Sequence, residues 1–221
     1  MKNFLLLLLV FPFGVNAQKM KRSFPERLFT ENNTAISFNP FALAEIDFTA
    51  LAGYENRLAP KLYLSNEAGY IFASNYIGND GTSSNNGTGF LIRPSLKWFV
   101  TDNGKFYLQP QIFYKQVTHK MHDWLGKAAV NRVPSYEQLQ DFKYRRKIYG
   151  FNTVAGFVLS LDQHKKGYMD FYFGLGIRNK KTVIAGEPNS VYKNSDGMFA
   201  DMDNGLFPSI PMGIRIIYAL H

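Results

Sequence analysis

At 221 residues, 46% hydrophobic and 19% charged, the chain has the composition of one folded domain and not of a disordered segment. It contains no cysteine, which excludes a disulfide framework, a thiolate metal site and a lipid anchor built on a cysteine. The net charge of +8 is spread over many segments, which suits an anionic surface such as lipopolysaccharide and argues against nucleic acid.

Lys2, the apolar run Phe4 to Phe13 and the small residues of Val15-Asn16-Ala17 read as a secretory signal peptide over 1–17. The apolar run is about half of the ~20 residues a helix needs to span a bilayer, so cleavage is expected rather than anchoring. Residues 18–34 carry no period of 2 or 3.6 and are expected to form an N-terminal lead. Over 35–221, segments near the ~10-residue length of a tilted membrane strand alternate with turn residues. No segment after the leader is long and apolar enough for a membrane helix, so a membrane location requires a closed barrel.

The first strand is expected over Ala35 to Leu43, with Ile36, Phe38 and Ala42 on one face and Ser37 and Asn39 on the other. The second, Thr49 to Arg57, alternates Ala50, Ala52 and Tyr54 with Thr49, Gly53 and Glu55. The third, Lys61 to Ala73, sets Leu62, Leu64, Ala68 and Tyr70 against Tyr63, Ser65, Glu67 and Gly69. A carboxylate facing lipid is costly, so Glu55 and Glu67 mark the inner face. Paired residues must share a face, which gives an odd loop, Leu58-Ala59-Pro60, and puts Glu55 opposite Tyr63.

A polar loop over 74–88 leads to a fourth strand, Gly89 to Thr101, with Arg93 and Lys97 inward and Phe90, Ile92, Leu96 and Trp98 outward. The fifth, Lys105 to Val117, turns Lys115 inward. A loop Asp102-Asn103-Gly104, with Gly104 left-handed, sets Trp98 opposite Leu108 and Lys97 opposite Gln109. Residues 119–147 are expected as a long loop in which Ser135 and Gln138 have the spacing of a helix-capping pair. Strands over Ile148 to Leu161 and Tyr168 to Lys180 follow, the latter with Asp170 and Arg178 inward. After a second long loop, 181–207, the strand Pro208 to Leu220 turns Arg215 inward. Pro40, Pro94, Pro110 and Pro211 lack a ladder donor and are expected at bulges or rims. The pattern is that of an all-β protein, an eight-stranded antiparallel up-and-down transmembrane β-barrel with short periplasmic turns and long extracellular loops.

Asn39-Pro40, Leu51-Ala-Gly-Tyr-Glu55, Leu62-Tyr-Leu-Ser-Asn-Glu-Ala-Gly-Tyr70 and a last strand with Gly213, Ile216 and Tyr218 at barrel-signal positions resemble a known family. It is that of small outer-membrane β-barrel proteins of the Bacteroidetes type. The resemblance implies a barrel in the outer membrane of a Gram-negative bacterium and little about activity.

The inward charges Glu55, Glu67, Arg93, Lys97, Lys115, Asp170, Arg178 and Arg215 are expected to pair as a polar core, because about eight strands leave room only for side chains. A conducting pore is the alternative. In the loop 119–147, Lys143, Arg145, Arg146 and Lys147 are candidate contacts for lipopolysaccharide phosphates. Of the histidines, only His119 and His122 fall on the outer side, and with Asp123 they could bind a metal, the histidine spacing suiting a helix, although loop histidines are more often solvated. Asp201-Met-Asp-Asn-Gly205 opens like a calcium loop but lacks the remaining ligands. No catalytic residue, metal or cofactor is assigned. The expected function is that of a non-enzymatic outer-membrane protein whose loops contact lipid, glycan or an envelope protein partner. The alternatives are a lipid A-modifying hydrolase or acyltransferase with its site at the outer rim, and a soluble lipocalin-like carrier.

Overall fold

Apolar and polar residues that alternate with period two give each strand two unlike faces, and joining such strands into a closed sheet pairs their backbone edges. The computed structural model describes residues 33–43, 47–74, 76–77, 83–84, 87–101, 104–130, 133–161, 166–187, 189–192 and 204–220. The segment expected as a signal peptide, most of the expected N-terminal lead, His164, His221, Asp102, Asn103 and residues 201–203 of the calcium-like run lie outside them.

The main strands are β1 (Thr34–Asn39), β2 (Asp47–Ala59), β3 (Leu62–Ser74), β4 (Thr88–Phe99), β5 (Phe106–Lys127), β6 (Tyr136–Ser160), β7 (Gly167–Ala185), β8 (Gly205–Ser209) and β9 (Met212–Leu220). A two-residue ladder joins Tyr76–Ile77 to Ser83–Ser84. Successive strands from β1 to β7 pair antiparallel, and β9 pairs with both β7 and β1, so one antiparallel sheet closes into a ring. β8 and β9 follow β7 in a single register, from Gly205↔Lys180 through Ser209↔Gly176 to Met212↔Phe173. They form one strand interrupted at Ile210 and Pro211, where the Pro211 carbonyl still accepts the Gly174 N–H at 2.8 Å.

The strand faces are as expected from the alternation. Glu55, Ser65, Lys97, Asp170 and Arg215 are buried, while Tyr54, Tyr70, Trp98, Phe151 and Ile216 are exposed. The β4–β5 hairpin has the expected register, Trp98↔Leu108, with Gly104 at φ 63°. The β2–β3 hairpin differs: Arg57 faces Tyr63 and Glu55 faces Ser65, two residues from the expected pairing. Only Pro60 and Lys61 form the turn, and an irregularity between Arg57 and Ala59 supplies the extra residue that keeps Glu55 inside.

Several features differ from the expectation. The first strand ends at Asn39, because Pro40 opens a 3-10 turn, Pro40–Leu43, in which the Ala42 N–H donates to Asn39 Oδ1 at 3.3 Å. Ala42 is therefore not on the outer face with Phe38; it is buried inside with Leu51 and Leu91. Residues 119–147 are not a long loop, since β5 and β6 pair without a register shift out to Lys127↔Tyr136. Ser135 accordingly caps no helix and bonds to the strand ends, its N–H donating to the Lys127 carbonyl at 2.9 Å. The missed strands carry charge on their outer face, which masks an alternation that continues inside through His119, Met121 and Leu125. Pro94 and Pro110 sit in regular strands with no register shift between β4 and β5, whereas Pro40 and Pro211 do mark interruptions.

β5, β6 and β7 are 22, 25 and 19 residues long against 13 or fewer for the other main strands, so they rise beyond the ring as a three-stranded extension. Near the short-turn end the ring is filled by an aromatic layer, with Tyr63 against Phe99 at 5.7 Å and Phe99 against Tyr107 at 5.8 Å between ring centres.

Candidate functional site

Above the aromatic layer lies a buried ion network. Lys97 Nζ is 2.7 Å from Glu55 Oε1 and 3.2 Å from Asp170 Oδ2, and all three side chains are fully buried. The Tyr107 hydroxyl donates to Asp170 Oδ1 at 2.6 Å, and Lys97 lies 4.7 Å from the centre of that tyrosine ring. Arg93 pairs with Glu67 at 3.1 Å. Arg215 donates to Gln109 Oε1 at 3.1 Å, stacks over Tyr172 at 4.3 Å, and approaches Glu67 and Asp170 at 3.5 and 3.6 Å. Those last two contacts are electrostatic rather than hydrogen bonds. Three carboxylates, Glu55, Glu67 and Asp170, thus meet three cations, Arg93, Lys97 and Arg215, and the layer is neutral. A balanced cluster of this kind avoids the several kcal/mol of an unpaired buried charge.

Two of the eight inward residues named from sequence lie outside this layer. Lys115 pairs instead with Asp47 Oδ2 at 2.5 Å, where Arg146 Nη2 also reaches the two Asp47 oxygens at 2.8 and 3.0 Å. Arg178 lines the cavity above, exposed, and makes no ion pair among the described residues. Asp47 lies before the expected start of the second strand at Thr49, yet β2 begins at Asp47 and carries it on the odd-numbered face of Thr49, Gly53 and Glu55. Arg146, expected on a surface loop, points inward because even-numbered residues of β6 do so. Tyr107, Gln109 and Tyr172 complete the network: Gln109 stands on the inner face expected for it opposite Lys97, Tyr172 on that of Asp170, and Tyr107 is the addition, with inward parity as its signal.

The remaining loop candidates lie on the outer face of the extension. Lys143 stands opposite Lys120, Lys147 opposite Lys181, and Arg145 between these pairs, opposite Thr118 and Val183. Lys143, Arg145, Lys147 and Lys181 make no ion pair among the described residues. Like charges opposed across strands destabilise a sheet unless an anion offsets them.

His119 and His122 part company, because a three-residue step in a strand reverses the face. His122 is exposed beside Asp141 at 2.7 Å, while His119 is fully buried. The metal pair drawn for a helix is therefore not formed, and among the described residues no three His, Cys, Asp or Glu are grouped to hold a metal. His119 and Ser74 do converge: a Cβ added at Gly87 would clash with both His119 Cε1 and Ser74 Cβ. The Ser74 hydroxyl, however, donates to Asp47 and is buried, which is not the hydroxyl-to-imidazole bond of an activated nucleophile.

The inner face of the extension has its own small core of Met121, Leu125, Phe142 and Tyr144 packed on Tyr192. Above it, the Glu187 carboxylate accepts from Lys127, from Ser190 Oγ at 2.6 Å and from Gln140 Nε2 at 2.9 Å. These bonds, that of Lys127 foremost, hold the Glu187 carboxyl at about 2, below its ordinary 4.5. A depressed folded value means that the clamp contributes fully above about pH 4.5 and is lost as pH falls toward 2. The expected carboxyl NMR titration of Glu187 has its midpoint near 2; a midpoint near 4.5 would show the clamp open in solution.

No family model, curated protein or solved structure matches the chain. What can be said of its class comes from the ring and its charges: an all-β protein with one antiparallel sheet closed on itself, a neutral ion layer within and a basic face outside.

Proposed function

We propose that the chain is an integral outer-membrane β-barrel, non-enzymatic, of the small Bacteroidetes type, whose strand extension faces the cell exterior and binds lipopolysaccharide phosphates. The observation that carries the reading is the inversion of polarity: apolar side chains on the outside of every main strand of the ring, charges within. The band includes Phe38, Trp98, Ile112, Phe151, Leu175 and Ile216, and a soluble protein rarely leaves so continuous an apolar surface to water. Closure of the sheet on the short-turn side of Pro211, where β9 pairs with both β1 and β7, also supports it, since unpaired strand edges are costly in a bilayer. The basic face of Lys120, Lys143, Arg145, Lys147 and Lys181 lies above Tyr149 and Ile177, toward the end where phosphates of the outer leaflet would sit.

The test is flotation of the refolded protein with lipid vesicles, with and without lipopolysaccharide. Wild type is expected to float with either vesicle and to retain lipopolysaccharide through detergent extraction, whereas a variant carrying Lys143→Glu, Arg145→Glu and Lys147→Glu floats but releases it. A mature chain that stays monomeric and soluble without detergent would sink the membrane reading; equal retention by the variant would sink the lipopolysaccharide contact.

A further inference from the structure

Between the neutral ion layer and the open end of the ring lies a cavity of about 570 Å³, within the size range of small-molecule sites. Its charge is unbalanced. Lys115, Arg146 and Arg178 line it with Asp47 as the sole carboxylate among the described lining residues, and Arg93 at its floor is already paired with Glu67. One carboxylate bridges Lys115 and Arg146, so the site keeps a positive excess next to a layer that has none.

The apolar lining comes from both faces of the wall. Leu91, Phe113 and Ile148 lie inside, yet Ile210 and Met212, which point to the outside of the ring and are more than half exposed, line the same cavity. The cavity therefore reaches through the wall. The reason is the short first strand: β1 is six residues long and gives way at Pro40 to the inward 3-10 turn. Beyond that level β8 pairs with β7 alone among the described residues, and Pro211 interrupts the strand at the same height.

We propose that this cavity binds an anionic amphiphile, an oxyanion head on an alkyl or acyl chain, entering sideways between β8–β9 and β2. Arg178, Arg146 and Lys115 receive the head, and Ile210, Pro211 and Met212 receive the chain. Sideways entry rests on the membrane reading above; binding itself is measured in micelles and does not.

Calorimetric titration of the folded protein in neutral maltoside micelles separates the sources of the oxyanion, with dodecanoate, dodecanol and inorganic phosphate as probes. Dodecanoate is expected to bind saturably, dodecanol not at all, and phosphate more weakly than dodecanoate. Arg178→Glu, at an exposed position without an ion pair among the described residues, is expected to weaken dodecanoate at least about tenfold while keeping the mobility of the folded protein on an unheated gel. Equal binding of dodecanol would reduce the site to an apolar groove, and phosphate as tight as dodecanoate would make it a free-anion site. No saturable binding, or no effect of Arg178→Glu in folded protein, would overturn the proposal and leave the flotation result standing.

Discussion

Lys97→Met is expected to destabilise the folded protein by about 3–5 kcal/mol, the range for breaking a buried ion pair by removing one partner. Lys97 is the cation between Glu55 and Asp170, at 2.7 and 3.2 Å, and no part of the three side chains reaches solvent. Its loss turns a neutral layer into one with an excess carboxylate. Glu55→Gln in the same chain restores the balance, so the double variant is expected to be milder than the sum of the singles, with a coupling of about 0.5–3 kcal/mol. Urea unfolding in micelles, followed by tryptophan fluorescence, measures all three. A cost under about 1 kcal/mol, the scale of exposed pairs, would mean that water reaches Glu55 and Asp170 and would revive the pore.

Leu108→Arg is the second large effect. Leu108 is 40% exposed, pairs with Trp98 and Ala155, and stands between Phe106 toward the short turns and the Tyr114–Tyr149 pair toward the extension. If the apolar band lies in a bilayer, an arginine at its middle costs about 2–4 kcal/mol, while Tyr149→Arg near its edge costs about 0–1 kcal/mol. Folding equilibria in lipid vesicles give both numbers. A soluble protein would show neither the cost nor the depth dependence, because an exposed substitution usually stays within about 0.5 kcal/mol. The contrast between the two positions makes the result independent of arginine's effect on strand propensity.

The faces of the strands could be read directly. Glu55, Glu67, Arg93, Lys97, Asp170 and Arg215 were all placed inside from a period of two, and all lie inside, within one layer. The extension could not be read, because its outer face carries Lys120, His122, Lys143, Arg145 and Lys147 where an apolar residue was the expected signal of a strand. A charged exterior is as compatible with a ladder as an apolar one once the strand leaves the apolar band. Lys143, Arg145 and Lys147 still point outward in the strand, Lys143 exposed and the other two half-buried; Arg146 does not, since a loop has no parity and a strand does.

Side-chain direction is a local property of extended backbone, and so the alternation of this chain settled which residues face in and which face out. Partners are not local. Glu55 and Lys97 are 42 residues apart, Lys97 and Asp170 73, and Gln109 and Arg215 106, so their meeting depends on closure of the ring and on the register of each hairpin. Even the two-residue shift at Pro60 left Glu55 inside and changed only what it faced. The neutral layer, the positive cavity above it and the opening beside β8 follow from that closure and from the early end of β1, which no periodicity records.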